Sequence, residues 1–373
     1  MRVLHVVSGD LWAGAEVQLF NLLKQLRSRP DVEPKVVLMN DGQLADQLRR
    51  QQVPVTVLDE SQLNVLQLAA GLRKVMRDFR PEVVHTHRQK ENVLGSLMNS
   101  LTTRSACVRT SHGAAEHRPR GLRRLHKRLF FALDEFCGRY LQQRVIAVSA
   151  ALGNELTATF GRTRVVIIEN GIDVQLLESG TELSELRHLA PDATHVGIVG
   201  RLEKVKRVDL FLRMAELLVR EASARAWHFH VVGDGSLRSS LQEQARTLGL
   251  DNRVTFHGHR SDSAACLRSL DVLVMCSDHE GMPMTPLEAI ACGTPVVAHD
   301  VGGLHDILEG ETGGLLNADH TPEGYAAAVR QLLDRDEQFL IERGRQKLVA
   351  RFSAQANADK ILSLYRELVP ARR

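Results

Sequence analysis

The chain has 373 residues, of which 43% are hydrophobic and 25% charged, a balance typical of a globular protein with more than one domain. Its formal net charge is only +3 and its aromatic content only 4%, which argues against a nucleic-acid-binding protein. The charge is unevenly divided, because residues 1–175 have an excess of cations and the remaining residues an excess of acids, so we expect the first half to face an anionic partner.

Short apolar strands alternate with helix-length segments along the first half of the chain. Amphipathic stretches such as Val17–Leu26 and Leu63–Phe79 lie between several of these strands. The alternation predicts parallel strands joined by crossover helices. The predicted strands are Val3–Val7, Lys35–Met39, Val53–Leu58, Glu82–His85, Ala106–Thr110, Val145–Val148 and Val165–Ile168.

The pattern stops at the turn signal Asn170–Asp173 and restarts after a polar segment that ends at Ala193. We predict one doubly wound α/β domain over residues 1–175 and a second over residues 176–353, with a C-terminal helix in 354–373 that packs back on the first. Two such domains would face a central cleft. The predicted strands of the second are His195–Val199, Trp227–Val232, Arg253–Phe256, Asp271–Cys276 and Pro295–Ala298.

No apolar run is long enough for a signal peptide or a membrane span, so we predict a cytoplasmic protein. The five cysteines are scattered and include no Cys-x-x-Cys pair, which predicts buried free thiols rather than a disulfide or zinc site. The acidic pair Asp334 and Asp336 lies between helical stretches and follows no strand, so we interpret it as a helix boundary and predict no metal site.

The most informative loop follows the predicted strand Asp271–Cys276. Thr285 is predicted to cap a helix there, with Pro286 in its first position and Glu288 closing a capping box. The start of a helix presents free backbone N–H groups and attracts phosphate. Because a capping box does not account for Glu280, we interpret Glu280 and Glu288 as a functional pair.

A second loop, Gly200–Arg207, is rich in cations and follows the strand His195–Val199. Arginine forms bidentate contacts with phosphate and lysine acts as a point charge, so Arg201 and Lys206 are predicted to bind a diphosphate. The same sheet edge would also hold the Glu280 loop.

Four further positions are candidates because each follows a strand. Gly14 lies in a loop after the first strand, where a glycine lets the backbone approach a ligand. His112 ends a strand of the first half, followed by a glycine. Gly235 and His259 lie in loops suited to backbone contacts with a nucleobase.

The Glu280-x7-Glu288 spacing, with its Gly-Met-Pro-Met-Thr loop, resembles the signature of the retaining glycosyltransferases of family four. The Gly200–Lys206 element resembles that family's phosphate-binding loop. Further segments resemble its other recurring motifs in the same order along the chain: Asn170-Gly-Ile-Asp173, Val232-Gly-Asp-Gly235 and Ala291-Cys-Gly-Thr-Pro295.

This resemblance implies an α/β GT-B fold of two Rossmann-like domains, and metal-independent transfer of a sugar from a nucleotide-sugar donor with retained anomeric configuration. It implies that Arg201 and Lys206 neutralise the donor diphosphate. Glu280 would contact the donor sugar, Glu288 the ribose, and His112 would support the reacting sugar, so His112 and Glu280 are the predicted catalytic residues. Main-chain groups would bind phosphate and sugar hydroxyls at Gly14, Gly281, Met282, Pro283, Met284 and Thr285.

Donor choice is expected to depend on contacts near Gly235, His259 and Met282, and we expect a UDP- or GDP-sugar rather than an ADP-sugar, with no cofactor. The basic stretch over residues 118–133 has six cations and leucines at helical spacing. Such a helix could bind an anionic membrane surface. Equally, its leucines could pack on the first domain while its cations stay in solvent. On the membrane reading, the acceptor is a lipid-linked saccharide or a lipopolysaccharide core precursor.

Three other readings stay open from the sequence. A sugar-nucleotide epimerase or hydrolase on the same fold would act without an acceptor. A non-catalytic nucleotide-sugar sensor would not need Glu280, Glu288, Arg201, Lys206 and His112 together. A nicotinamide-dependent oxidoreductase is disfavoured, because neither half has the Gly-x-Gly-x-x-Gly spacing.

Overall fold

The computed structural model describes residues 1–10, 12–113, 125–221 and 225–369. The chain forms two compact units. The first comprises Met1–Gly171 together with the C-terminal segment that begins at Ser353, and the second comprises Ile172–Phe352.

The first unit contains a seven-stranded parallel sheet in the order β3-β2-β1-β4-β5-β6-β7. Most of its central strand residues are buried, as expected for a parallel sheet covered by helices on both faces. Its strands are β1 Arg2–Val7, β2 Glu33–Leu38, β3 Val55–Val57, β4 Val83–Thr86, β5 Ala106–Ser111, β6 Arg144–Ala147 and β7 Val165–Ile167.

Local sequence explains where some of the first unit's helices begin. The Asn64 side chain accepts a hydrogen bond from the Gln67 N–H, and the Gln67 side chain accepts one from the Asn64 N–H, which forms a capping box. The helices are α1 Gly14–Arg27, α2 Gln43–Arg50, α3 Val65–Phe79, α4 Gln89–Thr102, α5 Leu125–Tyr140, α6 Ala150–Phe160 and, at the C-terminus, α16 Ala354–Leu368.

The C-terminal helix α16 lies in the first unit and packs on α1. The Asn357 side chain donates a hydrogen bond of 2.6 Å to the Glu169 carbonyl and accepts one of 3.3 Å from Gln18. Ile361 and Tyr365 of α16 belong to the hydrophobic core of this unit. The helix therefore completes a core whose other members come from the first 171 residues.

The second unit contains a six-stranded parallel sheet in the order β10-β9-β8-β11-β12-β13. Its strands are β8 Thr194–Val199, β9 Trp227–Val232, β10 Val254–Gly258, β11 Val272–Met275, β12 Val296–His299 and β13 Gly314–Asn317. Its helices are α7 Val174–Glu178, α8 Ser184–His188, α9 Val208–Arg220, α10 Arg238–Thr247, α11 Ser263–Arg268, α12 Met284–Cys292, α13 Gly303–Leu308, α14 Pro322–Leu333 and α15 Glu337–Lys347.

All twelve predicted strands are present, with ends that differ by up to two residues. Strand β13 was not predicted, because its two leucines are flanked by Gly314 and Asn317 and form too short an apolar run.

The cysteines are free and buried, as predicted. Asp336 caps α15 by accepting a hydrogen bond from the Phe339 N–H, which confirms the helix boundary there. Within the described residues, every helix is too short or too polar to cross a lipid bilayer.

The strand order reverses once in each sheet, between β1 and β4 in the first unit and between β8 and β11 in the second. At such a point the loops from the carboxyl ends of two neighbouring strands diverge and leave a crevice where ligands bind in open α/β sheets. The loops after β1, β4, β8 and β11 are therefore the candidate ligand-binding loops.

Candidate active site

Charged side chains lie in two loops of the second unit, at the point where the strand order of its sheet reverses (the switch point). The loop after β8 continues into a 3₁₀ turn, Lys204–Lys206, and the loop after β11 leads to α12. The Asp278 N–H donates a hydrogen bond of 2.9 Å to the Val205 carbonyl, which ties these loops together. Lys206 Nζ then lies 2.6 Å from Glu280 Oε1, with side chains 21% and 10% exposed. The fold thus joins two predicted site residues that are 74 positions apart in sequence.

The cations of the β8 loop are not equivalent. Arg207 is paired with Asp209 and with Asp278, and these carboxylates raise its pKa above its ordinary value. Arg207 therefore stabilises the loop. Arg201 is exposed, and together with Lys206 it lines a small pocket between the two loops. Arg201 and Lys206 are thus the cations of this loop that line the pocket.

Helix α12 begins earlier than predicted. Its first residue is Met284, its N-cap is Pro283, and no described side chain caps it, so the predictions of a Thr285 cap, a capping box with Glu288 and Pro286 at the first helical position were wrong. The buried side chains of Met282 and Met284 anchor the start of this helix, and their packing overrides the local capping preference. Its first backbone N–H groups therefore lack a side-chain partner from the described residues, and the positive end of the helix dipole stays available to an anion.

Met282 and Met284 bury their side chains, so only their backbone could contact a ligand. Gly281, Pro283 and Thr285 are partly exposed. Main-chain contacts of the loop from Gly281 to Thr285 with a ligand stay a prediction.

Glu288 lies one turn into α12 and is partly buried. Burial raises the pKa of its carboxyl from the ordinary 4.5 to about 7. A glutamate on the surface is fully ionised at neutral pH. A glutamate whose pKa is raised to near neutral is more typical of a functional site.

Two glycines that the sequence analysis missed support the Glu280 loop. The Gly303 N–H donates a hydrogen bond of 2.9 Å to the Gly281 carbonyl. Gly302 has φ +53° and packs so closely on Glu280 that a Cβ atom would overlap the Glu280 carbonyl oxygen. The adjacent glycines after strand β12 were the available sequence signal, because such a pair often permits close backbone approach.

Gly235 and His259 lie after β9 and β10, as predicted. The Asp234 side chain accepts the Gly235 N–H at 2.8 Å, and Gly235 packs against the Leu202 backbone. The Gly235 amide is therefore occupied in this structure. His259 is exposed.

In the first unit, Gly14 is the exposed first residue of α1, and no described side chain caps that helix.

Arg88, which follows β4, forms ion pairs with Asp10 of the β1 loop and with Glu16 of α1. Sequence reasoning did not identify Arg88, because its partners lie more than seventy residues away. Arg88 joins the two loops of this switch point.

His112 follows β5 and contacts a second histidine. Its Nε2 atom lies 3.3 Å from Nδ1 of His87, and the two rings are stacked. Burial, and secondarily the charge of Arg88, lowers the pKa of His112 to about 4, so its imidazole is neutral at physiological pH.

His5, His85 and His87 have ring nitrogens within 4.8 Å of one another, a separation that a metal ion could bridge. Both nitrogens of His85 are already hydrogen-bonded, to Tyr365 and to Thr110. The three side chains are almost completely buried, and ring nitrogens of His5 and His87 lie 3.1 Å apart and bond to each other. Their chemistry fits a network of neutral hydrogen bonds better than a metal centre.

Two family models match the chain. Residues 12–176 match Glycosyltransferase Family 4, and residues 193–335 match Glycosyl transferases group 1. The chain is 24% identical to the UDP-Gal:alpha-D-GlcNAc-diphosphoundecaprenol alpha-1,3-galactosyltransferase of Escherichia coli, over 99% of this chain and 97% of the relative. It is 33% identical to the D-inositol 3-phosphate glycosyltransferase of Kineococcus radiotolerans, over 61% of this chain and 58% of that one.

Among solved structures, Anabaena Alr3699/HepE in complex with UDP-glucose superimposes with a TM-score of 0.82 and 23% identity, covering 99% of this chain and all of that one. A likeness at this identity supports the fold, and it agrees with the two parallel sheets described above. The matching family models and the named relatives are glycosyltransferases, so they indicate the activity as well as the fold. The chain therefore belongs to the family four glycosyltransferases and is a glycosyltransferase with the GT-B fold.

Proposed function

We propose that this enzyme moves a sugar from a nucleotide-sugar donor to a saccharide or lipid-linked acceptor with retained anomeric configuration, in the synthesis of bacterial cell-surface polysaccharide or lipopolysaccharide. The observation that carries the proposal is the ion pair between Lys206 and Glu280 beside the uncapped start of α12. It gathers, at one switch point, a cation for a diphosphate and a carboxylate for a sugar hydroxyl.

The charge that develops on the diphosphate leaving group explains this arrangement. When the bond between the sugar and the diphosphate breaks, negative charge grows on the leaving oxygen. Fixed cations and oriented N–H groups stabilise such charge without reorganising in the transition state. Arg201, Lys206 and the first amides of α12 supply these groups in the second unit. A bound diphosphate would compete with Glu280 for Lys206 and free the carboxylate for the sugar.

The relatives favour a uridine nucleotide. The E. coli relative is named for UDP-Gal, and the Anabaena protein was crystallised with UDP-glucose. We therefore propose a UDP-sugar donor, with GDP-sugars as the second choice.

Ligand binding and product analysis test this proposal. Bound donor nucleotide stabilises the folded state by mass action, so UDP should raise the melting temperature more than GDP or ADP. NMR of the product should show the same anomeric configuration as the donor sugar. Inversion would refute the retaining mechanism, and sugar release or epimerisation that needs no acceptor would favour the epimerase or hydrolase reading.

The acceptor proposal rests on helix α5. Leu129, Phe136 and Tyr140 expose 71%, 47% and 69% of their surface, with Arg128 and Arg139 also exposed beside them. Exposed apolar side chains flanked by cations suit the interface of an anionic bilayer. Of the predicted basic stretch, residues 118–124 lie outside the described residues. We propose that α5 contacts the cytoplasmic face of the membrane, where a lipid-linked acceptor would be found.

Flotation with anionic phosphatidylglycerol vesicles tests this contact. The wild-type protein should float at low salt, and Phe136→Ser should reduce the floating fraction several-fold. Phe339→Ser is the matched control, because Phe339 is 56% exposed in the second unit. Equal flotation of both variants, or no flotation of the wild type, would refute a membrane contact through α5.

A further inference from the structure

Two histidines that the sequence analysis missed lie beside the Glu280 loop, the segment that joins β11 to α12. His299 is the last residue of β12, and His320 lies between β13 and α14. Their rings are stacked, with centroids 3.8 Å apart and planes inclined by 11°. Strands β11, β12 and β13 are neighbours in the parallel sheet, so the residues at their carboxyl ends share one edge of it.

The two histidines contact consecutive residues of the Glu280 loop. His299 Nδ1 lies 2.9 Å from the Ser277 carbonyl oxygen, and His320 Nε2 lies 3.0 Å from Asp278 Oδ1. A carbonyl can only accept a hydrogen bond, so His299 donates through Nδ1. Burial alone would raise the pKa of Asp278, but the hydrogen bonds from His320 and Arg207 lower it. Asp278 is therefore ionised and accepts the Nε2–H of His320.

His320 is itself held by the core of the second unit. Its Nδ1 atom lies 2.8 Å from the Tyr325 hydroxyl. Tyr325 of α14 is fully buried and belongs to the hydrophobic core of this unit. Both ring nitrogens of His320 thus have partners, and the His299 ring stacks on its face. His320 therefore connects the packed core to a carboxylate of the Glu280 loop.

Asp278 also joins the Glu280 loop to the loop after β8. Its N–H donates a hydrogen bond of 2.9 Å to the Val205 carbonyl, and its Oδ1 accepts one of 3.0 Å from Arg207 Nη1. Val205 and Arg207 are the two sequence neighbours of Lys206. Asp278 lies two residues before Glu280. The contacts of Asp278 therefore lie next to both members of the Lys206–Glu280 ion pair.

Arg207 by itself is a weak restraint on Asp278. The two side chains of that ion pair are 27% and 44% exposed, and pairs so exposed contribute at most about 1 kcal/mol. Arg207 also pairs with Asp209, which competes for the same guanidinium group. His320 is anchored on the buried Tyr325, so it is the partner that gives Asp278 a defined position.

We infer that His320 is a positioning residue for the transfer reaction, because by holding Asp278 it keeps the Glu280 loop where Glu280 meets Lys206. The effect of His320 on turnover rests on the proposed function of Glu280. The order that His320 gives to the loop is a property of the free protein and does not rest on that proposal.

Substitutions at His320 test this inference. Glutamine can place an amide N–H near the position of the imidazole Nε2 and donate to Asp278, whereas the shorter asparagine reaches only as far as Nδ1. We expect His320→Asn to lower kcat about tenfold, the effect of one lost hydrogen bond to a charged group, and His320→Gln to keep roughly half of the wild-type kcat or more. The matched control is His305→Asn, because His305 forms a histidine–aspartate pair with Asp300 that belongs to neither loop.

Two further measurements separate positioning from a general loss of structure. If His320 acts through Glu280, His320→Asn should lower kcat by less than about twofold in the Glu280→Gln background. In the substrate-free protein, amide hydrogen exchange in residues 277–283 should be faster in His320→Asn than in the wild type or in His320→Gln.

Equal losses of kcat in His320→Asn and His320→Gln would overturn the inference. An undiminished loss in the Glu280→Gln background or unchanged exchange in residues 277–283 would overturn it as well. If His320→Asn does not fold, Tyr325→Phe removes the hydroxyl that orients His320 and should show the same faster exchange. Full activity of Glu280→Gln would refute the proposed role of Glu280, and hydrogen exchange would still decide whether His320 holds the loop.

Discussion

Lys206 and Glu280 form an ion pair of 2.6 Å that is only 21% and 10% exposed on its two sides. A pair so shielded from water is stronger than a surface salt bridge, and it holds both side chains in defined positions before substrate binds. In the proposed mechanism, the lysine exchanges this partner for the donor diphosphate. The pair therefore couples the arrival of the nucleotide to the release of the carboxylate that contacts the sugar.

We predict that Glu280→Gln leaves nucleotide binding nearly unchanged and lowers kcat by about 100-fold, comparable to losing one preorganised transition-state contact. The amide cannot hold the charge that pairs with Lys206 or accept hydrogen bonds as strongly from a sugar hydroxyl. Steady-state kinetics and UDP titration measure the two effects separately. Glu311→Gln, which changes an exposed ion pair with Arg335, is the control. Unchanged turnover in Glu280→Gln would remove Glu280 from the catalytic residues.

Arg201→Ala should weaken both donor binding and turnover, each by about tenfold, because a lost charge-assisted hydrogen bond to phosphate affects the bound donor and the leaving group alike. Isothermal titration with UDP and steady-state kinetics give the two numbers. Arg335→Ala removes an exposed, ion-paired arginine from the same unit and should have no effect. Full activity of Arg201→Ala would mean that this arginine does not bind the diphosphate.

The raised pKa of Glu288 predicts a pH-dependent stability. Its carboxyl has a pKa of about 7 in the folded protein and 4.5 ordinarily, so between these values the folded state binds more protons than the unfolded state. The contribution of Glu288 to the free energy of unfolding should therefore fall as the pH rises towards about 7, by about 1 kcal/mol between about pH 6 and about pH 8. The buried histidines, whose pKa is lowered, contribute with the opposite sign, so the contribution of Glu288 is read from the difference between wild type and Glu288→Gln. Chemical denaturation of wild type and Glu288→Gln at several pH values measures this difference.

Glu91 of α4 also has a pKa raised by burial to about 7 and contributes to the wild-type slope in the same direction. Each carboxyl can be assigned by its own variant, since Glu288→Gln and Glu91→Gln should each remove its own contribution of about 1 kcal/mol between about pH 6 and about pH 8. A slope that is the same in wild type and Glu288→Gln would show that Glu288 is ionised in the folded protein.

Gly302→Ala should distort the Glu280 loop. A Cβ atom there would overlap the Glu280 carbonyl oxygen, and alanine is also strained at φ +53°. We expect a loss of stability of more than about 2 kcal/mol and weaker donor binding. Gly310→Ala separates the two causes, because Gly310 has φ +80° but open space around it and should lose only about 1 kcal/mol. Equal effects of the two variants would contradict the close packing of Gly302 on the loop.

Removal of divalent metal should leave transfer activity unchanged. The expected reason is that Arg201, Lys206 and the start of α12 supply the positive charge that a metal ion supplies in other transferases. Activity measured after dialysis against EDTA, with and without added magnesium, decides this. Loss of activity that magnesium restores would refute the metal-independent mechanism.

Local periodicity was sufficient to predict the two α/β units, because a strand of alternating or continuous apolar residues and an amphipathic helix each have a pattern that a few neighbouring residues determine. The C-terminal helix, predicted within residues 354–373, spans Ala354–Leu368. Charged and glycine-rich loops after predicted strands also identified Lys206 and Glu280 as candidates, since the carboxyl ends of parallel strands share one edge.

Tertiary structure alone decided which of these side chains touch. The ion pair of Lys206 with Glu280, the support of that loop by Gly302 and the contact of His112 with His87 each join distant segments, and no local pattern encodes the order of strands that brings them together. The start of α12 at Met284 likewise follows from burial of methionine side chains, against the local capping preference. Sequence determines which elements form, whereas long-range packing determines the protonation, pairing and exposure of the groups they position.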